Sequence, residues 1–240
     1  MFLKHTGTRG PLYRKQHDMR GRVVDSLKHM VPLSFGEEVG NSVSHGVAAI
    51  IFILLLPFTA VYMYENGGVM HAVGGSIYVI SIFSMFLTST LYHAMAHNTK
   101  HKYTMRLLDH SFIFVAIAGT YTPIALSVIG GTWGTVTLII QWTVAVLGIL
   151  YKVLSPKVSN RVSLTVYLIM GWMAVIFFPR ILANTDWVFL FMITLGGVSY
   201  TVGAWFYAQK TRRYFHMIWH FFIIIASFLH YVGIVFYIQP

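Results

Sequence analysis

With 240 residues, 56% of them hydrophobic, only 10% charged and a mean hydropathy of +0.66, the chain has too little polar surface to close over a water-soluble core. Its formal net charge of +10 would point to nucleic acid in a soluble protein. In so apolar a chain the charge instead asks which side of a membrane holds the Lys and Arg residues, and no nucleic-acid partner is expected. Cysteine is absent, which excludes disulfides, thiolate-held metal and a cysteine nucleophile, so any metal must rest on His, Asp or Glu.

Residues 1–34 read as a basic cytoplasmic tail carrying Arg9, Arg14, Lys15, Arg20, Arg22 and Lys28. Val23, Val24, Leu27 and Met30 fall at roughly helical spacing, so the tail is either an amphipathic helix on an anionic leaflet or a disordered segment. Residues 1–30 lack the apolar core of a cleavable signal peptide, and the first span is expected to insert uncleaved.

From residue 35 to 240 the chain reads as one transmembrane domain. Apolar runs lie near 44–64, 71–96, 106–128, 133–152, 162–179, 185–207 and 215–238, each long enough for a hydrocarbon core of about 30 Å. The expected fold is therefore an all-α, multi-pass bundle of seven transmembrane helices. Short connections make successive helices antiparallel neighbours, and no repeat or second domain is visible. Pro57 and Pro123 are expected to kink their spans. Gly119, Thr120, Tyr121 and Thr122 are expected to form, with Pro123, a close-packing bend whose hydroxyls meet freed backbone groups.

All 17 Lys and Arg residues except Arg180 fall in the tail or in alternate connections, on one side of such a bundle. That bias predicts a cytoplasmic N-terminus and an outside C-terminus. Depth then follows from the 1.5 Å rise per residue. Ser89 and His93 come to the cytoplasmic half of the second run, Asp109 and His110 to the start of the third, and Asn41 and His45 to the start of the first. His216 and His220 open the last run one helical turn apart, so both imidazoles face one way. Polar side chains that are costly inside a membrane thus converge at one level, which points to function.

His93, His216 and His220 have the makeup of a three-imidazole zinc centre with a fourth position open to water. Asp109, a carboxylate inside the third run, reads as general base or outer acceptor for that water, with Ser89 orienting it. His45 and His110 are reserve ligands at the right depth. His230, near mid-membrane, is expected to be a hydrogen-bonded core residue or to line a cavity. Each histidine also has a purely structural reading, and the coincidence of depth favours metal.

The motifs Glu38-x-x-Asn41-x-x-x-His45, Ser89-x-x-x-His93, Leu108-Asp109-His110, Ala118-Gly119-Thr120-Tyr121-Thr122-Pro123 and His216-x-x-x-His220 together resemble the hemolysin III family, the bacterial branch of the progestin and adipoQ receptor superfamily. The resemblance covers about residue 35 to the end. It implies a seven-helix bundle with an intramembrane zinc near the inner leaflet, His93, His216 and His220 as its ligands, and Asp109 and Ser89 beside the metal-bound water. It further implies zinc-dependent hydrolysis of a lipid amide or ester, with a membrane lipid as substrate or ligand and no protein partner inferable. Two alternatives stand beside it: a non-enzymatic sensor of membrane state with a structural zinc, and a pore-forming or transport protein.

Overall fold

The first helix begins at a capping box. The Ser34 hydroxyl accepts from the Glu37 N–H at 3.4 Å, and the Glu37 carboxylate accepts in return from the Ser34 N–H at 3.0 Å. The computed structural model describes residues 33–155, 158–209 and 211–238; apart from Leu33 and Ser34, the predicted basic tail lies outside the described residues. Helix α1 is Phe35–Ala94, α2 Lys100–Pro123, α3 Gly131–Leu154, α4 Asn160–Trp172, α5 Phe178–Asn184, α6 Trp187–Ala208 and α7 Phe215–Tyr237. A π-helical turn, Ile124–Ile129, follows α2, and a 3-10 turn, Met173–Phe177, joins α4 to α5.

Six helical stretches among the described residues are long and apolar enough to cross a membrane, against seven predicted runs. The difference lies in α1, whose 60 residues contain both of the first two runs. A straight helix of that length would reach about 90 Å, three times the hydrocarbon core. It does not run straight, because Gly68 takes φ 74° and ψ −166°, a conformation essentially restricted to glycine. The chain reverses there and the two arms of α1 pack on each other. Phe52 meets Tyr78 and Phe86, and the Ser42 hydroxyl donates to the Thr90 carbonyl at 3.2 Å.

Around Pro123, where a bend is predicted, the helix changes type. Proline has no N–H to continue the ladder, and α2 passes directly into the π-helical turn. The hydroxyls of Thr120 and Thr122 donate to the carbonyls of Ala116 and Ala118 one turn back, rather than to the Gly119 carbonyl that Pro123 leaves without its usual donor. Gly119 itself permits close packing, since a Cβ there would overlap the Ser81 side chain of α1.

One continuous apolar cluster joins both arms of α1 to α2, α6 and α7, with Phe52, Tyr78, Phe86 and Ile234 sealed inside. Outward, Leu54, Ile139, Leu147 and Phe191 stand exposed on their helices. Such an apolar exterior is unfavourable in water and matches lipid, while helices satisfy their own backbone, as a hydrocarbon solvent requires. The chain is a multi-pass, all-α membrane protein.

Candidate metal centre

Helix α7 starts from Tyr214, whose left-handed φ of 62° turns the chain sharply into the helix. The Tyr214 N–H donates to the Glu37 carboxylate at 2.6 Å, so the first turn of α1 fixes where α7 begins. His216 and His220 occupy the first two turns of α7, and His93 the last turn of α1. Their ligating nitrogens lie within 4.8 Å of one another. The Nε2 atoms of His93 and His216 are 3.3 Å apart. Imidazole nitrogens bound about 2.0–2.1 Å from one tetrahedral ion stand about 3.3–3.4 Å from each other.

The polar atoms at this point have the chemistry of a metal donor set. Both ring nitrogens of His220 are buried with no hydrogen bond of good geometry, the Asn41 backbone carbonyl alone lying within reach, an arrangement that is costly unless something else meets them. His93 Nδ1 contacts the Glu38 carboxylate at 2.6 Å. An ionised carboxylate only accepts, so Nδ1 carries the proton and Nε2 keeps its lone pair toward His216 and His220. The three residues fit a zinc ion as donors.

The other sequence candidates fall around this core. His45 stacks on His220 with ring centroids 3.6 Å apart and planes 8° from parallel. Imidazole lone pairs lie in the ring plane, so an ion lying in the plane of His220 sits well out of the plane of His45. His45 is therefore a stacking neighbour in this arrangement rather than a fourth ligand. Asn41, one turn before it, is buried with both side-chain amide atoms unpartnered, and His45 is buried with the His220 backbone within reach of its ring. His110 neighbours Asp109, its Nε2 4.0 Å from that carboxylate.

Asp109 and Ser89 do not join the cluster of ligating nitrogens; they line the adjoining cavity, as does His45. The Ser89 hydroxyl is buried beside the Asp109 carboxylate, within reach of donating to it. The cavity holds about 200 Å³ and is walled almost wholly by apolar side chains. Tyr207 and Trp219, rings 4.7 Å apart, line it beside the histidines, the Trp219 ring lying 4.8 Å from His216 and 5.1 Å from His220. At its other end lie Trp172, Val175 and Phe178, which are also exposed on the outside of the bundle, so the cavity reaches the lipid-facing surface. His230 is both things expected of it: it lines the cavity, and its Nε2 is 3.1 Å from the Ile193 carbonyl.

Two residues had no site role in the sequence reading. Glu38 entered only as part of a motif, and Lys102 only as a topology-setting charge. In the fold Glu38 joins His93 on one oxygen and the Lys102 ammonium, at 2.6 Å, on the other. A carboxylate seven residues ahead of His45, at the membrane depth of the histidines, was the available signal. Lys102 carried none, since its burial depends on how α2 packs.

Comparison with known proteins gives the same grouping. The chain is 35% identical to the hemolysin-3 homolog of Bacillus subtilis over 201 residues, covering 84% of this chain and 94% of that protein. It is 33% identical to hemolysin-3 of Bacillus cereus over 204 residues, covering 85% and 93%. A more distant likeness, 28% over 164 residues and about two thirds of each chain, links it to the human monocyte to macrophage differentiation factor. The family described as Haemolysin-III related matches residues 33–231, which hold Glu38, every residue of the three-histidine cluster and the whole cavity wall; the chain belongs to that family.

Proposed function

We propose that this protein is an intramembrane zinc hydrolase acting on a lipid amide or ester, with His93, His216 and His220 holding the metal. The observation that carries the reading is the meeting of three imidazoles from two distant stretches of chain beside an apolar cavity that reaches the lipid face. In this reading the reversal at Gly68 counts the two arms of α1 as separate crossings, which gives seven, and the Lys and Arg asymmetry puts the N-terminus and the metal on the cytoplasmic side. That depth suits the substrate, because amide and ester groups of lipids lie near the headgroup boundary rather than at mid-bilayer.

A bound zinc supplies Lewis acidity and lowers the pKa of water toward neutrality. The apolar cavity wall takes the acyl chain from the surrounding lipid, and Tyr207 and Trp219 close the site around the reacting carbonyl. The Ser89 hydroxyl orients the attacking water. Asp109 takes a proton from it as the new C–O bond forms, then passes that proton to the nitrogen or oxygen that leaves as the old bond breaks.

Elemental analysis of the purified protein tests the metal, and release of fatty acid from lipid amides and esters tests the chemistry. Near-stoichiometric zinc is expected in the native chain and in Asp109→Ala, and loss of zinc in the His216→Ala/His220→Ala variant. Hydrolysis is expected to fall by about 100-fold or more in Asp109→Ala, the range of a lost general base. Zinc lost from Asp109→Ala as well would instead mean a closed structural site, and a metal-free native protein would remove the hydrolase reading.

A further inference from the structure

The chain of contacts behind His93 is longer than a metal ligand needs for packing alone. Lys102 opens α2 and is only 1% exposed. A buried ammonium is costly unless its charge is met. Here it is met twice, by Glu38 Oε1 at 2.6 Å and by the face of the Tyr92 ring, 4.5 Å away. The second oxygen of Glu38 takes His93 Nδ1 at 2.6 Å, and the side chain of His93 is fully buried. Three separate points of the chain, the first turn of α1, its last turn and the first turn of α2, are thus held by one carboxylate.

We propose that Glu38 is a positioning residue for metal binding, fixing the tautomer and ring orientation of His93 while Lys102 anchors the carboxylate. The inference rests on the zinc reading above and adds to it a carboxylate–imidazole support that sets how tightly the ion is held. Lys102 keeps Glu38 charged and fixed in direction, so the carboxylate cannot rotate toward the metal and act as a ligand itself. Glu38 in turn presents the Nε2 lone pair of His93 to the point shared with His216 and His220. The competing possibility is an ion pair that merely stitches α1 to α2.

Metal affinity and stability separate the two. Zinc affinity is measured by chelator competition on the detergent-solubilised protein, the site is read by the visible spectrum of its cobalt form, and thermal midpoints are taken without metal. Glu38→Gln is expected to weaken zinc by about 10- to 100-fold and to shift the cobalt bands, as loss of such outer partners does. It also strands Lys102, so its metal-free midpoint drops. The Glu38→Gln/Lys102→Met variant removes the stranded charge. It is expected to regain much of the midpoint while keeping the weakened zinc affinity and the altered spectrum. Affinity that recovers together with stability, or that stays within about twofold of native in either variant against that expected range, would overturn the positioning role and leave a structural ion pair. A native chain that binds no zinc, with His216→Ala indistinguishable from it, would overturn the zinc reading and this inference together. Native binding with an unaffected Glu38→Gln overturns this inference alone.

Discussion

His45 and His220 show how far two residues of the same type can differ in role at a distance of one ring. Both are buried, and their rings stack with planes nearly parallel at 3.6 Å. Only His220 brings a nitrogen into the group formed with His93 and His216. The stacked His45 ring fills space against His220 and against Phe86, whose centroid is 4.8 Å away. His45→Ala is therefore expected to keep stoichiometric zinc, with a lower thermal midpoint from the cavity it opens, while His220→Ala loses the metal. Metal content of the two variants, measured side by side, checks this; zinc lost from His45→Ala would make that ring a ligand.

At the level of elements, the start of α1 organises the ends of others. Glu37 closes its own capping box with Ser34 and also accepts from the Tyr214 N–H that begins α7, while Glu38 on the next position holds His93 and Lys102. Adjacent helical positions point about 100° apart, so two successive carboxylates can serve two different neighbours. Because α7 bears His216 and His220 within two turns of Tyr214, an error in the start of that helix displaces both ligands. Glu37→Ala removes the acceptor of the part-buried Tyr214 and Ser34 N–H groups, at a cost of about 1 kcal/mol, while the Ser34 hydroxyl still caps the helix. A lower thermal midpoint and weaker zinc binding are expected together, with Glu37→Gln recovering part of both, since its amide oxygen still accepts. Thermal melts of the three proteins in detergent, with and without zinc, provide the measurement.

On the scale of the whole molecule, the arrangement is a bundle whose polar residues gather at one end and whose outer surface is apolar. In the proposed seven-span reading, the reversal at Gly68 and the loop between α1 and α2 belong to opposite faces of the membrane. The absence of cysteine makes this directly testable, because single cysteines can be introduced without background. Glu65→Cys, close to the Gly68 reversal, is expected to react with a membrane-impermeant maleimide added to intact cells. Asn98→Cys, in the loop before α2, is expected to react only after the cells are opened. Labelling of both from one side would remove the second crossing and with it the seven-span reading.

Class, approximate spans and the candidate ligands were legible in the sequence because each rests on local signals. Runs of apolar residues report a lipid solvent, and the four-residue spacing of His216 and His220 reports one helix face. Linear order hid whatever depends on two remote segments meeting. Gly68 reads as an ordinary glycine until its φ is known, and Lys102 reads as a solvated topology charge until α2 is packed against Tyr92 and Glu38. His45 reads as a reserve ligand at the depth of His93 until the ring planes are compared. The sequence by itself determined that this is a helical membrane protein whose last run carries two histidines one turn apart. Only the tertiary structure decided which histidines converge, which carboxylate supports them and where the cavity opens, because burial, ring orientation and charge pairing are set by neighbours that lie far away along the chain.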